Sequence, residues 1–133
     1  KGEGNQATGG VYKNEFEDKH YFFLLLTDPA INLPKTQQSI SSFNFKNYKL
    51  DSLQITNMLL SKQDQILQVS SFKNKKRAMA YYDLIIESPN TNKVFANPHV
   101  QPFVISKNNF TQLLKEKQIN TYIDYFNSIY LLN

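Results

Sequence analysis

The stretch that most constrains the fold is residues 66–88, ILQVSSFKNKKRAMAYYDLIIES. Leu67 and Val69 alternate with Gln68 and Ser70. A period of two belongs to a strand with one apolar face. The period then changes: Ala78, Tyr82 and Ile85 recur at helical spacing, and Met79, Tyr81 and Ile86 widen the stripe. The pattern predicts a buried strand over 66–71, a tight turn at Phe72, Lys73 and Asn74, and an amphipathic helix over 75–87. Asn74 suits the N-cap, where a side-chain oxygen accepts from a free backbone N–H. Pro89 marks the exit.

The turn and the first helical residues concentrate positive charge. Lys75, Lys76 and Arg77 fall in the first turn, where the helix dipole disfavours cations by about a few tenths of a kcal/mol each. One reading is a solvated helix start. The other is an anion or glycan contact built from Lys73, Lys75, Lys76 and Arg77, because free N–H groups and cations converge there.

At 133 residues, 41% hydrophobic, the chain suits one domain with one core. Its net charge of +4 is mildly basic and short of a polybasic tail. With no cysteine, the chain has no disulfide, thiolate zinc site or cysteine nucleophile. The longest apolar run, Tyr21–Leu26, is far too short to cross a bilayer. No signal peptide is visible, and the start at Lys1 suggests a piece of a longer protein.

Residues 1–11 hold all four glycines and begin as an aperiodic polar run, which reads as a flexible linker; residues 12–133 form the domain. His20–Thr27 (HYFFLLLT) is continuously apolar in its middle, and so predicts a central strand covered on both faces. Pro34–Tyr48 follows as a helix with a sparse stripe at Ile40 and Phe43, with Pro34 at its first position. Leu53–Ser61 predicts a strand that pairs with the next through the polar turn 62–65. Beyond the central helix an Asn-rich loop leads to irregular chain at 95–98. Pro98 and Pro102 bracket Val100, which suggests an edge position before the last strand at 103–105. Ser106 caps a helix presenting Phe110, Leu113, Leu114 and Lys117, with a break expected near Ile119–Asn120. Tyr122, Tyr125, Phe126, Ile129 and Tyr130 then repeat at helical spacing.

The order predicts an α+β domain: a ferredoxin-like βαββαβ antiparallel sheet with appended C-terminal helices. The expected strand order is 4-1-3-2, with two helices on one face and the C-terminal helices on part of the other.

No chemistry is legible. His20 and His99 have no motif around them, and the carboxylates Asp28, Asp51, Asp64, Asp83 and Glu87 form no spaced pair. The reading is a non-enzyme with no catalytic residue, no metal site and no cofactor. Nucleic acid is not an expected partner either, because an RNA-recognition sheet displays aromatics from its third strand, where this chain has Gln68 and Ser70. Asn109-Phe110-Thr111 matches a glycosylation sequon inside a predicted helix. Helical aromatic stripes are core by default. Tyr81, Tyr122, Tyr125 and Tyr130 are nonetheless the candidates for a tyrosine-lined protein contact.

Several of these segments resemble a known family. His20–Leu26, Ser42-Phe43-Asn44, Leu53-Gln54-Ile55, Val69–Phe72 before Ala78–Tyr82, Val104-Ile105-Ser106 with Asn109-Phe110, and Tyr122 with Tyr125-Phe126 carry the resemblance. From about Tyr12 to Leu131, the chain resembles the C-terminal domain of Bacteroidetes tetratricopeptide-repeat lipoproteins of the SprE/PorW type. These serve gliding motility and type IX secretion. The matching residues are packing and capping residues, and no repeat of about 34 residues is present in this chain. The resemblance implies a periplasmic, outer-membrane-associated lipoprotein. It also implies a non-enzymatic role among other proteins of the secretion and motility assembly. The βαββαβ order also looks like the SPOR fold, which implies peptidoglycan or another anionic polymer as the alternative partner.

Overall fold

The computed structural model describes residues 10–131, so the linker expected over 1–11 lies almost wholly outside the described residues. Four strands, β1 (His20–Leu26), β2 (Gln54–Leu59), β3 (Gln65–Phe72) and β4 (Val100–Ser106), form one antiparallel sheet in the order β2-β3-β1-β4. Between them run α1 (Leu33–Asn47), α2 (Lys75–Glu87) and the short α3 (Asn92–Ala96). After β4 come α4 (Lys107–Glu116), α5 (Ile119–Phe126) and a terminal π-helical turn, Asn127–Leu131. The chain is an α+β fold with the strand order the sequence implies and extra C-terminal helices.

Position in the sheet explains the composition of each strand. β1 lies between β3 and β4, and all its residues are buried except the half-buried Tyr21. Residues directly opposite in antiparallel strands share a face. Phe22, opposite Val69 and Val104, packs on α2, its ring 5.0 Å from Tyr81. Phe23, opposite Gln68 and Phe103, looks to the other face, where Phe110 of α4 lies 4.8 Å away. β1 is thus apolar on both faces because helices cover both.

Local chemistry fixes the helix ends. Asn32 caps α1 by accepting from the Lys35 N–H, so the helix starts one residue before Pro34. Asn74 caps α2 by accepting from the Arg77 N–H, and the helix spans the predicted residues. α4 closes at Lys117, in the left-handed region at φ 56°, so the break falls just ahead of the expected one. Further boundaries differ from expectation: β2 is shorter than 53–61, and β3 runs on through Phe72, expected in the turn. Residues 92–96 form α3 rather than irregular chain, with buried Thr91 donating its hydroxyl to the Ile85 carbonyl and closing the loop. β4 extends to seven residues and includes Pro102, which an edge strand tolerates because its outer side needs no ladder N–H.

Candidate contact surface

The four candidate tyrosines are core residues. Tyr81, Tyr122 and Tyr125 are fully buried and Tyr130 nearly so, so their assignment as protein contacts is corrected. Each hydroxyl has an internal partner. Tyr81 donates to Asn44 Oδ1, Tyr122 to the Val104 carbonyl at 2.6 Å, and Tyr125 to the Lys13 carbonyl at 2.8 Å. Tyr130 lies 2.8 Å from His20 Nε2. Burial raises the pKa of all four phenols, with that of Tyr125 pushed up to about 12. Helical spacing marks a stripe that faces something, and here it faces the sheet and the segment at Tyr12.

His20 is likewise structural. It is fully buried, with Nδ1 2.7 Å from the Asp18 carbonyl. Burial lowers its pKa, opposed by the Asp18 hydrogen bond and charge. Asn109 of the sequon is buried, donates to the Lys13 carbonyl and accepts from its N–H, so the fold withholds it from modification. Among the described residues, no group of His, Asp and Glu is arranged to hold a metal ion.

The cation cluster divides. Lys75 turns away from the others, its Nζ 4.2 Å above the Phe16 ring and 5.1 Å from that of Tyr130. Such cation–π contacts are worth about 0.5–1 kcal/mol where exposed. Lys76 is exposed and lines none of the crevices described below. Lys73 and Arg77 instead line one crevice of about 340 Å³ together with Tyr48, Asp51 and Leu53.

That crevice belongs to a longer groove. A second, of about 190 Å³, shares Tyr48 and Leu53 with it. A third, of about 620 Å³ between α1 and β2, shares Leu53, Ser41 and Ile55 with the second. The groove runs between α1 and β2 and on past the start of β2 to the end of β3, and the two edges of the sheet differ. At β4, Tyr122 bonds a backbone carbonyl and α5 packs alongside. At β2, no described strand pairs with the outer edge, and four of the six residues are exposed. β2 carries no lysine or proline of the kind that blunts an open edge. The three most exposed large hydrophobics among the described residues fall in or just before this strand in the chain: Leu59 at 67% ends β2, Leu50 at 94% lies in the turn before it, and Phe45 at 67% is on α1 and lines the second crevice.

Sequence reasoning missed this surface. Its usable signals were apolar side chains off any buried stripe, at Phe45 and Leu50, and a strand with an unguarded edge. The fold and this surface define the class: an α+β domain with a ferredoxin-like element order, one sheet edge packed by α5 and one open edge. No known family model, curated protein or solved structure matches the chain.

Proposed function

We propose that this chain is a non-enzymatic protein-interaction domain that engages its partner along the open edge of β2. The observation that carries the reading is the asymmetry of the sheet: α5 packs on β4, whereas no described strand pairs with the outer edge of β2, whose own Leu59 is exposed along with Phe45 and Leu50 from the segment before it. Exposed apolar side chains grouped beside unpaired backbone mark contact sites. The resemblance of the chain to SprE/PorW-type C-terminal domains supports placing it on a periplasmic, outer-membrane-associated repeat lipoprotein of the type IX secretion and gliding machinery. A photo-crosslinking residue at Asn57 of the parent protein, in native envelopes, tests the proposal. A discrete adduct containing a component of that machinery is expected, and none from a control position at Lys115. No adduct at Asn57, or the same adducts from both positions, refutes it.

A second reading has its own observation. Lys73 and Arg77 share one crevice, where two cations suit the anionic groups of peptidoglycan or another anionic polymer, the alternative that the SPOR-like element order implies. It predicts co-sedimentation with cell-wall sacculi that is lost in Lys73→Glu/Arg77→Glu. Sedimentation unchanged by that double substitution removes the site.

A further inference from the structure

We infer that the groove along β2 takes an extended acidic peptide, which adds to the sheet as a fifth strand and places a carboxylate between Lys73 and Arg77. The inference rests on β2 being the docking edge and goes on to name the chemistry of the occupant.

Three features converge on it. The first is shape: three neighbouring crevices with Tyr48, Leu53 and Ile55 in shared linings succeed one another as a broken channel between α1 and β2, next to a strand edge that no described strand pairs. An edge strand offers outward N–H and C=O groups on alternate residues, which an extended chain satisfies as a neighbouring strand does. The second is charge. Lys49, Lys73 and Arg77 line the channel against the single carboxylate of Asp51. Lys73 and Arg77 gather at the end beyond the start of β2, where a guanidinium can meet a carboxylate in two parallel hydrogen bonds. A second copy of this basic chain would bring cations to cations, so an acidic partner fits better.

The third is an unmet hydrogen bond. Asn44 is 8% exposed and lines the middle crevice, and its Nδ2 has no partner among the described residues. Its Oδ1 is held by the Tyr81 hydroxyl, which fixes the amide plane. A buried donor without an acceptor is costly; Nδ2 is closed to solvent, so a peptide carbonyl supplies its acceptor only where the crevice wall opens beside Asn44.

The test is selection of a displayed library of random linear peptides on the folded domain, followed by binding and hydrogen-exchange measurements with synthetic copies of the enriched peptides. The expected peptides are short β-prone stretches with an acidic residue at one end, and binding slows exchange at alternate amides of β2. Lys73→Glu/Arg77→Glu weakens them by about tenfold or more, while the control Lys62→Glu/Lys115→Glu does not. Both pairs are exposed, and matching thermal melts show that the fold is kept. Peptides that protect β2 but ignore the charge reversal overturn the acidic assignment and leave the docking edge standing. Protection of β2 by soluble peptidoglycan fragments, with no peptide enriched, overturns the choice of a peptide. No enrichment and no protection of β2 by any probe, together with no adduct at Asn57, overturns the docking edge itself.

Discussion

The Tyr81–Asn44 pair gives the sharpest test of how the core is held. Tyr81 is fully buried, with its ring among Phe22, Phe43, Tyr48 and Phe72 at 4.9–5.5 Å between centroids. Its hydroxyl donates to Asn44 Oδ1, and Asn44 Nδ2 already lacks a partner. Tyr81→Phe keeps the ring packing and strips Asn44 of its one hydrogen bond through the side-chain oxygen. Leaving a buried polar group unpaired costs about 1–3 kcal/mol. For a domain of this size that is about 3–5 °C in Tm per kcal/mol. Asn44→Leu alone leaves the Tyr81 hydroxyl unpaired and costs a similar amount, offset by about 0.4 kcal/mol of better helix propensity in α1. The double variant Tyr81→Phe/Asn44→Leu removes both polar groups and returns close to the parent, because an apolar pair of similar shape has nothing left unsatisfied. Urea unfolding followed by circular dichroism, with an unchanged m-value, supplies the four stabilities of the cycle. A coupling energy of at least about 1 kcal/mol is expected. Additive losses, with the double variant the least stable of the four, would refute the argument that this hydrogen bond ties α1 to α2.

Other consequences follow from the same geometry. Phe103→Ala opens a cavity among Phe23, Tyr122 and Phe126 and should lower stability by about 3–5 kcal/mol in the same assay. Lys76→Glu replaces an exposed cation with an anion in the first turn of α2, so stability should rise by about 0.3–1 kcal/mol at low salt, and the gain should shrink as salt is added. The folded-state pKa of His20 is lowered by burial from its ordinary 6.5, so the unfolded chain takes up the proton first as pH falls. The stabilisation from His20 is therefore full above 6.5 and is lost as pH drops through 6.5 toward the lowered folded value. In His20→Gln, that part of the stability–pH curve should flatten; a curve of unchanged slope would assign the slope to other groups.

The readable parts of the fold are those where local chemistry and burial agree. In 66–88, the alternation of Leu67 and Val69, the cap at Asn74 and the stripe from Ala78 to Ile85 act over a few residues, and α2 has the bounds they imply. The unbroken apolar run of β1 was enough to place it between two strands and under two layers. Pro102 marked the edge strand correctly but also made β4 read too short. The candidate site was legible only in part. Lys73 and Arg77 do come together, whereas Lys75 is drawn onto the Phe16 and Tyr130 rings, and nothing local to the cluster distinguishes these cations.

By itself, then, the sequence determined the order of the four strands and of the helices around them except α3, the caps of α2 and α4, and which strand is central. Those outcomes depend on side-chain periodicity, on backbone groups within a turn, and on how much apolar surface each segment must hide. Only the tertiary structure decided what each face meets. The tyrosine stripe of α5 turns inward because Tyr12, Phe103 and the β4 backbone lie there. The edge of β2 stays without a strand partner, whereas the two C-terminal helices α4 and α5 pack against β4 at the other end of the sheet. Whether an edge is open depends on residues far away in the chain, and no local pattern encodes that.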